Sequence, residues 1–166
     1  MDPVEIIEEN VEEIEETGNE AEEEEEAEEA GVVFKCSDGE EIVVNDRDIL
    51  SQFTAVVKKV EENFPNWENE AEFFSATISL EFSREIVEFV LSHVSTFPPR
   101  PADAVHMDPA NYPGVADLSL FEKRFTMEVA SDLGNEKMVD ILSTFVASDL
   151  EKYSPEEIIQ FLGIDQ

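Results

Sequence analysis

Val32-Val33-Phe34-Lys35-Cys36-Ser37-Asp38-Gly39-Glu40-Glu41-Ile42-Val43-Val44 is the stretch on which the fold turns. Val32, Phe34 and Cys36 alternate with Val33 and Lys35, the period-two pattern of a strand buried on one face. Ser37-Asp38-Gly39-Glu40 then supplies turn chemistry, because Asp bonds its own backbone and Gly tolerates a positive φ. Ile42-Val43-Val44 resumes the β-branched run, so the stretch predicts a β-hairpin.

Downstream the apolar period changes. Ile49, Phe53, Val56, Val57 and Val60 recur at helical spacing behind an Asp46/Asp48 start signal, predicting one amphipathic helix that Asn63-Phe64-Pro65 ends. Residues 66–75 read as a polar loop pinned by Trp67, Phe73 and Phe74, and Thr77 to Leu80 as a short strand. Ser83 is the expected N-cap of a helix burying Ile86, Phe89, Val90, His93, Val94 and Phe97 and stopping at Pro98-Pro99. Arg100 to Gly114 contains Pro101, Pro109 and Pro113 and reads as an extended connection. Two helices follow, marked by Phe121, Phe125, Val129, Ala130 and Leu133 and by Met138, Val139, Ile141, Leu142, Phe145 and Val146, with a break at Gly134-Asn135. Ser154-Pro155-Glu156-Glu157 is a capping box with proline at the first helical position, predicting a helix from Pro155 to Leu162 capped by Gly163.

Upstream the texture is different. Residues 1–30 hold sixteen acidic side chains and no Lys or Arg, half of the chain's net charge of -32. Glu20 to Glu29 has too little apolar surface to offset the entropy of ordering, which predicts a disordered acidic tail over 1–31 and a folded domain over 32–166. Val4, Ile7, Val11 and Ile14 have helical spacing, while Val4-Glu5-Ile6-Ile7-Glu8-Glu9 resembles a SUMO-interacting motif, with Val4, Ile6 and Ile7 as the strand that adds to a sheet edge. The composition favours a plain solubilising segment over the motif.

With 166 residues and 42% hydrophobic content, one folded domain is expected. The negative field disfavours nucleic acid and anionic membranes and favours basic partners. Cys36 is the single cysteine, so an internal disulfide is impossible and a reducing compartment, cytoplasm or nucleus, is the expectation. No signal-peptide pattern or membrane-length apolar run is present in the sequence.

Hairpin, helix, acidic loop, strand, helix, proline-rich insertion and paired helices, in that order, resemble the Skp family of F-box adaptors and elongin C. Ser37-Asp38-Gly39, Pro98-Pro99-Arg100-Pro101, Ala130 with Leu133, Val146-Ala147, and Ser154-Pro155-Glu156-Glu157-Ile158 followed by Ile164 are similar to the family's motifs over 32–166. The resemblance implies an α/β fold of BTB/POZ type, a small sheet flanked by helices. It also implies an adaptor in a cullin-based ubiquitin ligase, linking the cullin to an F-box-like substrate receptor. An F-box-type contact carries over to Pro155, Glu156, Glu157, Ile158 and Ile164, and the apolar Phe161 and Leu162 extend it. The family's cullin-contacting Asn-Tyr corresponds here to Ser131-Asp132, a charge in place of an aromatic anchor. The sequence given stops at Gln166, where the family continues into further helices, so a smaller clasp is expected.

Catalytic chemistry is thin. Cys36 with His93 or His106 is the nominal thiol and imidazole pair, but Cys36 falls on a buried strand position and His93 on an apolar stripe. One cysteine and two histidines do not make a zinc site, calcium-loop spacing is absent, and no cofactor is expected. The expectation is therefore a non-enzymatic adaptor able to form a homodimer when free; the alternative is an acidic scaffold or chaperone-like protein binding basic partners such as histones.

Overall fold

The hairpin closes as its alternation requires. In the computed structural model, which describes residues 30–164, β1 (Gly31–Lys35) pairs antiparallel with β2 (Glu41–Val44), Phe34 opposite Ile42 and Val32 opposite Val44. β3 (Ser75–Ser79) adds parallel to the other side of β1, giving the strand order β2-β1-β3. Val32, Phe34, Ala76 and Ile78 share the face that meets the helices, and Val33, Val43 and Thr77 share the opposite face. The fold is α/β, with six helices, α1 (Arg47–Leu50), α2 (Thr54–Glu61), α3 (Arg84–His93), α4 (Leu120–Asp132), α5 (Glu136–Leu150) and α6 (Pro155–Leu162), among the described residues. Most of the acidic tail, and all of Val4, Ile6 and Ile7, lie outside those residues; β1 starts at Gly31, beside the expected boundary at Val32.

Three expectations about helices need correction. The single helix over Ile49 to Val60 is two. Its apolar spacing holds on both sides, but Phe53 is extended and fully buried, breaking the helix at a core position. Asp46 caps α1 by accepting from the amides of Asp48 and Ile49, and the first amides of α2, Thr54 and Ala55, donate to the carbonyls of Gly134 and Leu133. Tertiary bonds thus replace the helical ones that the pattern predicted.

The second correction concerns α3. It stops at His93, before Pro98-Pro99, and Val94 to Phe97 continue as a turn whose Phe97 is buried. Lys137 donates from Nζ to the carbonyls of Val94 and Phe97, satisfying the end of α3 from α5. The buried stripe also includes Val87 and Leu91, while Phe89 and His93 are only half-buried and stack with centroids 4.3 Å apart. At the start of this helix Ser83 occupies the N-cap position but makes no capping bond; Asp38 supplies it instead.

The third correction turns α4 about its axis. Phe121 and Phe125 were expected to face the core, but the buried face is Leu120, Lys123, Thr126, Val129 and Ala130. Lys123 lies inside because its Nζ donates to Asp149 Oδ2 at 2.7 Å and to the Leu118 carbonyl at 2.9 Å. A paired ammonium can occupy a position that hydropathy assigns to an apolar residue.

α4 and α5 form an antiparallel pair joined at Gly134-Asn135. Gly134 has φ 78°, and Asn135 caps α5 by accepting from the Met138 amide while donating from Nδ2 to the Gln52 carbonyl. The proline-rich connection over Arg100 to Gly114 is not wholly extended, since a single turn forms at Pro109–Asn111 with Tyr112 buried behind it; a second turn, Val115–Asp117, follows the connection and buries Val115.

Candidate partner-binding surface

The C-terminal helix forms locally for reasons written in its first residues. Ser154 Oγ accepts from the Glu157 amide, Glu157 Oε2 accepts from the Ser154 amide, and Pro155 starts α6 with no amide to satisfy. Gly163 ends it at φ 65°. Phe161 is the one buried residue of α6; with Leu120 and Val146 it forms a cluster separate from the main core, against which Leu150 packs. Its ring meets Phe121 edge-on at 5.6 Å, and Arg124 lies over it while donating to its carbonyl. Phe161 is therefore an internal anchor of α6 and not the free apolar contact that the sequence suggested.

The remaining expected contact residues stay at the surface. Pro155, Glu156 and Glu157 are exposed and Ile158 is half-buried, while Leu162 and Ile164 are 52% and 56% exposed. Sequence reasoning missed Phe121 and Tyr153, at 45% and 40% exposed, which flank the same surface. With Ser119, Leu120, Glu157, Gln160 and Phe161 they line a groove of ≈ 190 Å³. No local signal marked Phe121 as outward: Leu120, Thr126 and Leu133 lie on one face only if Lys123 is allowed inside, and the partner that allows it, Asp149, is 26 residues away.

Ser131 and Asp132 are both exposed at the end of α4, away from α6. Ser131 edges an open groove of ≈ 390 Å³ shared with Thr54, Asn135, Glu136 and Asp140. The structure thus separates the two expected partner positions, one at the α2/α4/α5 junction and the other at α6.

Electrostatic detail elsewhere is structural in character. Burial raises the Cys36 thiol and the Asp38 charge raises it further, the reverse of an activated thiolate. The His93 ring has its Nδ1 2.8 Å from the Phe89 carbonyl, and the His106 Nδ1 lies 3.4 Å from Ser148 Oγ. Among the described residues, no group of three or more His, Cys, Asp or Glu is placed to hold a metal ion. No helix among them is long and apolar enough to cross a membrane. No protein-family model matches this chain, and no curated protein matches it either.

Proposed function

We propose that the chain is an adaptor of a cullin-type ubiquitin ligase, holding an F-box-like receptor on α6 and a cullin at the α2/α4/α5 junction. The observation that carries this reading is the capped α6, which offers Leu162, Ile164 and half of Ile158 beside the outward Phe121. A lone surface leucine is ordinary, but apolar side chains gathered around one short helix are a partner surface. The order of elements supports the BTB/POZ-type, Skp-like reading. An exposed Ser131-Asp132 in place of an aromatic anchor is expected to weaken the cullin contact.

The test is reconstitution of the purified chain with F-box receptors and cullin N-terminal domains. Receptor capture should survive removal of residues 1–30 and be lost in Ile158→Asp, which puts an unpaired charge into the apolar contact. Full capture by a folded Ile158→Asp protein would move the adaptor surface elsewhere.

A second reading rests on the charge: sixteen acids and no bases in residues 1–30 suit a scaffold or chaperone for basic proteins such as histones. Here binding should disappear with residues 1–30 and weaken steeply with salt. Val4, Ile6 and Ile7 add a proposed SUMO contact, which simultaneous alanine replacement should abolish.

A further inference from the structure

Five of the eight large hydrophobic side chains exposed among the described residues, Phe121, Phe125, Tyr153, Leu162 and Ile164, belong to α4, α6 and their adjoining turns. The groove between these elements is walled by Phe121, Tyr153 and Phe161 and has Glu157 among its lining residues. Its lining includes no Lys or Arg. Glu157 uses Oε2 on the Ser154 amide, and its Oε1 has no hydrogen bond among the described residues. Arg124, whose guanidinium lies over the Phe161 ring, is held by Glu128 and the Phe161 carbonyl, and Lys152, next to Tyr153, is paired with Asp149.

Aromatic rings beside a free carboxylate oxygen favour a cation with an apolar stem, since the rings attract the charge through their faces and cover the methylenes. We infer that this groove receives an arginine or lysine side chain from a partner protein, its stem against Phe121 and Tyr153 and its charge toward Glu157. Charge complementarity selects the occupant: with 42 acidic against 10 basic residues, a second copy of this chain would bring mostly like charge to the groove. The inference rests on reading the α6 face as a partner surface, but it does not depend on which partner binds.

The full-length protein, labelled for amide NMR, would be titrated with a designed amphipathic helical peptide carrying one arginine between leucines. A second peptide would carry neutral citrulline in its place. The arginine peptide should shift amides of residues 119–122 and 153–161 and bind about three- to tenfold more tightly than the citrulline peptide. Glu157→Gln, whose amide still closes the capping box, should abolish that difference, and Phe121→Ala should weaken both peptides. Equal binding of the two peptides, or an arginine preference that survives Glu157→Gln, overturns the inference. Shifts mapping elsewhere overturn it too, as do concentration-dependent shifts of these amides without peptide, which would assign the groove to a second copy. Failure of the adaptor reading is seen separately, in the receptor and cullin reconstitution.

Discussion

Asp38 Oδ2 accepts the backbone amide of Arg84 at 2.7 Å, so the turn of the hairpin caps a helix 46 residues further along the chain. The other carboxylate oxygen accepts from the Glu40 amide at 3.1 Å, and the Arg84 guanidinium pairs with Glu40. One aspartate thereby fixes the hairpin turn and the start of α3. The bond from the Arg84 amide is the main reason its carboxyl titrates below the usual value.

A depressed folded-state pKa means that this contribution is present above the ordinary aspartate pKa and is lost as pH falls through the depressed value. Asp38→Ala is therefore expected to lower the melting temperature at neutral pH and to reduce the loss of stability on acidification. Ser83→Ala, at the N-cap position but without a capping bond, should leave melting nearly unchanged. Melting curves across a pH series compare them; a larger loss in Ser83→Ala would assign the cap to the wrong residue.

That cap shows where sequence reading stops. Ser37-Asp38-Gly39 announced a turn, and the capping box at Ser154 announced a helix, because both signals are complete within a few residues. The partner of Asp38 could not be read, since nothing local couples a turn to a helix start that distant. The same limit hid the break at Phe53, whose compensation comes from Gly134 and Leu133. It also hid the outward turn of Phe121, which depends on Lys123 finding Asp149. At α6 the sequence located the helix and its exposed apolar residues, but the inward turn of Phe161 needed the positions of Leu120 and Val146.

The loop between α2 and β3 hangs on Arg47. Its Nε donates to the Trp67 carbonyl and its Nη2 to the Glu72 carbonyl, both at 2.7 Å, with the guanidinium 4.6 Å over the Phe74 ring. A lysine keeps the charge but cannot span two carbonyls with a planar fork. Arg47→Lys should cost about 1–2 kcal/mol in denaturant unfolding and speed amide exchange over 66–74. Unchanged exchange there would mean that Trp67 and Phe74 hold the loop by burial alone.

Asp149 sits between Lys123 and Lys152, at 2.7 and 2.8 Å. Burial alone would raise its carboxyl, but the two ammonium hydrogen bonds and charges outweigh that and hold it below the usual value. Its stabilisation is thus present at neutral pH and lost as acid passes through the depressed pKa. Asp149→Asn leaves a buried ammonium poorly compensated and should cost about 2–4 kcal/mol, whereas the double change with Lys123→Met should recover much of it. Additive losses in a double-mutant cycle would show that the pair does not interact.

Gly134 is left-handed, and a Cβ there would collide with Thr54 Oγ1 and press on the Ala55 amide. Gly134→Ala should therefore part α2 from the α4/α5 junction and destabilise the fold by about 2–4 kcal/mol. Adding Thr54→Ser keeps the colliding hydroxyl oxygen and the conflict with the Ala55 amide, so it should restore little. A mild effect of Gly134→Ala on calorimetric unfolding would mean that this junction, and with it the groove beside Ser131, adapts readily.

Phe161 and Leu162 are neighbours on α6 with opposite assignments, one buried in the small cluster and the other half exposed. Phe161→Ala should release α6, with fast amide exchange over 155–162 and a global loss smaller than the ~3–5 kcal/mol of a main-core phenylalanine, because its cluster is separate. Leu162→Asp should keep the melting temperature and the capping box intact while abolishing receptor capture, since the charge would enter only the partner's contact. The two variants separate what holds the helix from what the helix holds. If Leu162→Asp melts like Phe161→Ala, the exposed residue belongs to the fold; if it melts like the unaltered protein and still captures the receptor, α6 is not the contact and the adaptor surface must be sought at the Ser131 groove.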